Sequence, residues 1–334
     1  MWSTCSERGA SRGLVTWLGA LLLWGCATQP APRWPRPALR LPATVAARYA
    51  LPGRVELTRL ERAGGTARLV HLEGELRCGP ERAVFHLVRP ERVPGVRPPW
   101  PFVLTLPILG GGRELMRIVG AELARRGHVV GWAERVGSAL RPGQTGPELE
   151  RMLRRTVVHN RMLVDWAAHQ DWVDPDALAC VGMSMGGMIG CVLLAAEPRL
   201  TAGALCLAGG DLPQLVLRTT EGRAVRWRRW RRLTDGIGGD ELRRELDGFL
   251  VSDPARLGPY VDTEKVLLVG GRFDEVVPRA NQDVLWESLG RPRRLLLPLG
   301  HYTSALALEP ILSAVDRFFA DRFRANRPPT VARR

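Results

Sequence analysis

Leu178-Ala-Cys-Val-Gly-Met-Ser-Met-Gly-Gly187 is the stretch whose reading decides the fold of this chain. Within it, Gly182-Met-Ser184-Met-Gly186 fits the pattern G-x-S-x-G. The flanks matter more than the five letters. A short apolar run, Ala177 to Val181, precedes the motif and is bounded by Asp174-Pro175-Asp176. Gly187-Met-Ile-Gly-Cys-Val-Leu-Leu-Ala-Ala196 follows, and its apolar character predicts a buried helix. Strand, tight turn and helix form the setting this motif needs. The glycines let the backbone turn sharply where a Cβ would clash. Ser184 is then held up at the C-terminal end of the strand.

Two downstream segments carry the residues that complete the pattern. Lys265-Val-Leu-Leu-Val-Gly-Gly-Arg-Phe-Asp274-Glu-Val-Val-Pro278 reads as an apolar strand followed by a turn bearing Asp274. Arg294-Leu-Leu-Leu-Pro-Leu-Gly-His301-Tyr-Thr303 reads as a further strand and a loop bearing His301. Asp211, after the apolar run 203–208, is a rival acid, but the Gly-x-x-Asp-x-x-Val-Pro context favours Asp274. His159 and His169 are expected on a helix surface before the motif, where they are poorly placed to take part.

The chain order Ser184, Asp274, His301 and the local contexts resemble the α/β-hydrolase superfamily, nearest in style to dienelactone-hydrolase-like and prolyl-oligopeptidase-like esterases. The resemblance spans roughly residues 50–325. It implies an α/β-hydrolase fold: a mainly parallel sheet with helices on both faces and a small helical lid insertion. It also implies a serine hydrolase that cleaves a small-molecule carboxylic ester through an acyl-enzyme on Ser184, with His301 as general base and Asp274 as its partner. No metal or organic cofactor is called for. The oxyanion donors implied are the backbone N–H groups of Met185 and Leu109, with Gly110 close behind; Pro107 and Ile108 stand where the family usually has His-Gly. Acyl transfer to an acceptor other than water uses the same triad. A non-catalytic envelope lipoprotein that binds a partner or an anionic surface is the reading from outside enzymology.

The N-terminus reads as an export signal. Arg8 and Arg12 precede an apolar segment, Leu14 to Trp24, too short for an ordinary membrane-spanning helix. It ends in Leu23-Trp-Gly-Cys26, which resembles a bacterial lipobox and by that resemblance implies lipidation of Cys26; ordinary cleavage near Ala27 and an uncleaved anchor are the rival readings. Ala27 after the cysteine, by resemblance, points to the outer rather than the inner membrane. The expected location is therefore the cell envelope, outer membrane or periplasm. Residues 27–44, with Pro30, Pro32, Pro35, Pro37 and Pro42, read as an extended tether. The hydrolase domain is expected over 45–325, with a basic tail over 326–334.

The formal net charge is +14, and Lys265 is the sole lysine, so the positive charge is nearly all arginine. No nucleic-acid motif accompanies it, and no nucleic-acid partner is expected. Cys78, Cys180, Cys191 and Cys206 fall in or near predicted core elements and read as buried free thiols rather than a disulfide framework. Residues 53–62, 66–77 and 83–89 alternate apolar and polar side chains and predict antiparallel strands at a sheet edge. Helices are expected over 114–126, 147–170 and 304–325. The insertion, about 211–259, breaks the strand–helix alternation and contains Arg223-Ala-Val-Arg-Trp-Arg-Arg-Trp-Arg-Arg232. Trp227 and Trp230 share one helix face. Three readings fit it: a solvated lid helix with packed tryptophans, a membrane-surface contact, and recognition of an acidic substrate.

Overall fold

The computed structural model describes residues 27–29, 38–91, 95 and 97–327. Its strands are β1 (Ala27–Gln29), β2 (Val55–Gly65), β3 (Leu69–Cys78), β4 (Glu81–Pro90), β5 (Trp100–Leu106), β6 (Val129–Ala133), β7 (Val173–Met183), β8 (Ala202–Cys206), β9 (Val266–Gly271) and β10 (Arg293–Leu297). They form one sheet in the order β1-β10-β9-β8-β7-β5-β6-β4-β3-β2. Strands β5 to β10 run parallel to one another, while β2, β3 and β4 form an antiparallel meander joined to β6.

Alternation along the central strands sends successive side chains to opposite faces. Phe102, Leu104 and Leu106 of β5 enter one core with Leu178, Cys180, Leu205 and Leu268. Val103 enters the other with Ala179, Val181, Ala204 and Val269. Helices α2 (Arg113–Arg125) and α10 (Leu308–Asn326) close the second face, through Met116, Val119 and Leu123 and through Ile311, Val315, Phe319 and Phe323. Helices α3 (Gly146–Ala168), α4 (Met185–Ala196) and α9 (Arg279–Ser288) close the first. A reciprocal capping box between Thr145 and Glu148 starts α3.

Three features depart from the sequence reading. Strand β7 begins at Val173, before the Asp174-Pro175-Asp176 boundary, because Trp100 pairs with Val173 and the register then slips before Phe102 meets Leu178. Pro175 sits in that irregularity, where its missing N–H is tolerated. His159 is buried rather than on the helix surface: α3 turns it toward the β3–β4 hairpin, where Nε2 lies 2.9 Å from Glu81 Oε2. Burial pushes its pKa below the usual histidine value, against the pull of Glu81. The proline-rich segment is not wholly a tether. Residues 27–29 pair antiparallel with β10 and cover what would be an open sheet edge. The Leu39 N–H donates to the Pro259 carbonyl at 3.0 Å, and helix α1 (Ala43–Arg48) follows.

The insertion folds as four helices, α5 (Leu212–Arg218), α6 (Gly222–Thr234), α7 (Gly239–Phe249) and α8 (Pro254–Leu257). Trp227 of α6 is fully buried, and its indole N–H donates to the Gln144 carbonyl at 2.8 Å. It is therefore an anchor in the core, and the membrane-surface reading loses it. Arg231, one turn on, is also buried and pairs with both oxygens of Glu245 on α7. Asp253 ties the two ends of the insertion together, accepting from the N–H groups of Leu212 and Ala255. At the base, Glu150 of α3 accepts from Arg48 and from the hydroxyl and amide of Ser252, and Tyr49 shares that hydroxyl at 2.8 Å. Burial pushes the Tyr49 phenol up to about 12.

The signal-like segment with Cys5 and Cys26 and the tail from 328 onward lie outside the described residues. Among the described residues no helix is long and apolar enough to cross a membrane.

Cys78, Cys180, Cys191 and Cys206 are all buried and unpaired by disulfides. Burial pushes the thiols of Cys180 and Cys206 up to about 12 and raises Cys191 as well. Iodoacetamide at pH 8 should leave Cys180, Cys191 and Cys206 unmodified in the native protein and alkylate all three in denaturant. Peptide mass mapping reads each site separately.

Candidate active site

The turn between β7 and α4 is shaped by what surrounds its glycines. A Cβ on Gly186 would stand 2.1 Å from the Leu106 carbonyl oxygen at the end of β5. One on Gly182 would stand 2.3 Å from Gly186 C and O. Both positions thus exclude any side chain, and the packing lets α4 begin directly against the sheet. Ser184 between them sits at φ 55°, ψ −123°, a strained geometry for a residue with a Cβ. It is held there by its N–H donating to the Cys206 carbonyl at 2.8 Å and its own carbonyl accepting from Met188 at 3.1 Å.

Asp274 and His301 reach Ser184 from the ends of β9 and β10. The Asp274 side chain is buried. Its Oδ1 accepts from the N–H groups of Val276 at 2.9 Å and Val277 at 2.7 Å, which fixes the carboxylate in its turn. Its Oδ2 lies 2.8 Å from His301 Nδ1. On the other side of the ring, His301 Nε2 lies 3.0 Å from Ser184 Oγ. The loop holding His301 is braced by Ser304, whose hydroxyl donates to the Gly300 carbonyl at 2.7 Å. The Tyr302 ring meets the imidazole edge-on at 5.5 Å between centroids. The rival acid, Asp211, serves elsewhere: it caps α5 through Gln214 and pairs with Arg243.

With Asp274 accepting from Nδ1–H, Nε2 is left as the unprotonated nitrogen facing the serine hydroxyl. That arrangement can take the Ser184 proton as Oγ attacks an electrophile. The Met185 N–H is the first amide of α4 and has no intrahelical acceptor, so it is available beside the serine. Leu109 lies in the loop after β5 and lines the cavities on both sides of Ser184.

Sequence reading missed the residue that holds this loop. Arg135, just after β6, donates through Nη1 to the Ile108 carbonyl at 3.0 Å and to the Leu109 carbonyl, and through Nε to Gly137. Arg223 at the start of α6 adds a longer contact to Leu109 O at 3.4 Å and binds Ser138. These bonds fix the loop that carries the Leu109 amide. Burial, with the nearby Arg223 charge, pushes the Arg135 guanidinium below its usual pKa. No local motif surrounds Arg135. The sole hint in the sequence is a charged pair, Glu134-Arg135, directly after a fully apolar strand.

Over 88 residues the chain is 34% identical to the uncharacterized protein YdjC of Bacillus subtilis (strain 168), a match that covers 26% of this chain and 73% of that protein. The chain belongs to the same family as YdjC. No family model matches the chain. Among solved structures, it is similar to acetyl xylan esterase 1 from Thermoanaerobacterium sp. JW/SL YS485, with TM-score 0.57 and 16% identity over 83% of this chain and 95% of that one. It is also similar to an acetyl xylan esterase from Paenibacillus sp. R4, with TM-score 0.59 and 13% identity over 81% and 91% of the two chains. A dienelactone hydrolase homologue from Klebsiella pneumoniae subsp. pneumoniae MGH 78578 aligns with TM-score 0.53 and 16% identity over 75% and 98%. At this level of identity the likeness concerns the fold, and the fold of this chain is that of the α/β-hydrolases.

Arg135→Met should release the Ile108 and Leu109 carbonyls while keeping the apolar stem. Labelling of Ser184 by a fluorophosphonate should slow on the order of tenfold or more, since one misplaced oxyanion donor costs about 3–4 kcal/mol at the limit. Circular dichroism of the same samples checks that the fold is kept.

Proposed function

We propose that this protein is a serine hydrolase that cleaves a carboxylic ester through an acyl-enzyme on Ser184. The observation that carries the reading is the unbroken line Asp274 Oδ2, His301 Nδ1, His301 Nε2, Ser184 Oγ, with successive hydrogen-bond separations of 2.8 and 3.0 Å. In the first half-reaction Ser184 Oγ attacks the acyl carbon and passes its proton to His301 Nε2. Asp274 stabilises the imidazolium that results. The oxyanion takes hydrogen bonds from the N–H groups of Met185 and Leu109. His301 then gives the proton to the departing alcohol oxygen. Water repeats the sequence to release the acid. Every proton is carried by side chains of the chain itself, and the substrate is a small-molecule ester.

We also propose that the enzyme works outside the cytoplasm, carried to the cell envelope by the signal-like segment and attached through lipid on Cys26. Support for this comes from the basic residues Arg8 and Arg12, the apolar run after them and the Leu23–Cys26 sequence. Attachment of this kind brings the arginine-rich outer face of α6 near anionic lipid, where Arg226 and Arg229 are exposed.

Two experiments test these readings. Ser184→Ala should lower ester turnover on the order of 10⁶-fold with little change in melting temperature; turnover equal to the unsubstituted protein removes the assignment. Metabolic labelling with a fatty-acid analogue in a Gram-negative host should mark the full chain and leave Cys26→Ser unmarked. Equal labelling of both would refute lipid attachment at that residue.

A further inference from the structure

Two cavities meet at Ser184. The outer one is lined by His301, Tyr302, Leu207, Ala305 and Leu308. The inner one runs beneath the insertion, between Leu149, Leu153 and Val157 of α3, Met188 and Val192 of α4, and the α5 residues Leu215 and Val216. Leu109, Ser184, Glu221 and Val276 belong to both. We propose that the inner cavity is the acyl pocket and that the substrate is an ester of a short aliphatic acid. The proposal rests on the reading of Ser184 as the acyl acceptor.

The placement follows from proton delivery. A general acid must lie within hydrogen-bond reach of the leaving oxygen. Of the two cavities, His301 lines only the outer one. The alcohol therefore departs through the outer cavity. The tetrahedral carbon on Ser184 directs its oxyanion to the Met185 and Leu109 amides and its leaving oxygen to His301. Its one remaining substituent, the acyl chain, then points into the inner cavity.

The chemistry of the inner wall selects the chain. Away from the mouth its polar side chains are already engaged. The Ser252 hydroxyl donates to Glu150 and shares a hydrogen bond with Tyr49, and the Thr219 hydroxyl donates to the Val276 carbonyl at 2.6 Å. A hydroxylated or charged acyl group would give up its water there without replacement partners. An alkyl chain loses nothing and gains apolar burial. The cavity measures about 100 Å³. A cavity of roughly 150 Å³ takes one benzene ring, so this space holds roughly four carbon-sized groups. The insertion is what builds this wall. Its own hydrogen bonds, through Trp227, Arg231 and Asp253, hold it over the cavity.

The test is the kcat/KM of the full chain on p-nitrophenyl esters from acetyl to dodecanoyl, beside fluorophosphonate labelling of Ser184. The expected profile rises about fourfold per added methylene to a maximum between butanoyl and hexanoyl. Leu215→Trp and Val216→Trp, each filling the cavity from the insertion side, should lower the pentanoate-to-acetate ratio at least about tenfold. A flat or falling profile in protein whose Ser184 is labelled overturns the acyl pocket and leaves the hydrolase reading standing. So does an unchanged ratio in both variants when they are folded, or a response to the length of the alcohol instead of the acid. Loss of both labelling and turnover in folded protein overturns the hydrolase reading and the pocket assignment with it.

Discussion

The contact between Gly186 and the end of β5 is the constraint on which the rest of the site depends. The Leu106 carbonyl stands where a Cβ of Gly186 would be. Because no side chain intervenes, α4 starts against the sheet rather than beyond it. That close start forces Ser184 into a positive-φ geometry and lifts its hydroxyl clear of the strand. It also leaves the first amide of α4 unpaired beside the hydroxyl. Strain of this kind costs on the order of 1–3 kcal/mol and persists only where surrounding packing over-determines it. Here the packing comes from an almost wholly buried helix, α4, seated between the sheet and α3.

The parallel sheet converts this local turn into a site. β7, β9 and β10 point their C-terminal ends the same way, so the loops that follow them share one rim. Asp274 and His301 need no long reach to meet Ser184. The Val276 and Val277 amides hold one carboxylate oxygen and leave the other for the imidazole. Asp274 is thus fixed by backbone groups of its own turn, while Ser184 is held by the Cys206 carbonyl of β8 and the His301 loop by the Ser304 hydroxyl. The insertion contributes differently. It supplies no member of the line, yet it roofs the inner cavity and, through Arg223, touches the loop that carries Leu109.

Ser184, Asp274 and His301 could be picked out of the sequence because each sits in a turn with its own signature: glycines around the serine, Gly-x-x-Asp before Val-Val-Pro, and Gly-His after an apolar strand. The strand–helix alternation from 100 to 206 was equally legible, since buried parallel strands and amphipathic helices have distinct periods. Arg135 was not, because its role is defined by two carbonyls more than twenty residues away. His159 was misjudged for a related reason. A helix turns a histidine in or out according to what it packs on, and here the β3–β4 hairpin brings Glu81 to meet it. The packing of Trp227 was legible in its helix face, but its partner was not: the Gln144 carbonyl that accepts its N–H lies 83 residues away.

The sequence by itself determined the sheet's mainly parallel character, the turn that bears Ser184 and the identity of the acid and base candidates. These follow from local rules: side-chain period, glycine's freedom at positive φ and the order of motifs along the chain. Only the tertiary structure decided which cavity lies on which side of Ser184, how the insertion is pinned, and that residues 27–29 close the sheet edge at β10. Those outcomes turn on contacts between segments tens to hundreds of residues apart. Their free energy comes from burial and from pairing polar groups that water no longer reaches, and neither quantity is written in any one segment.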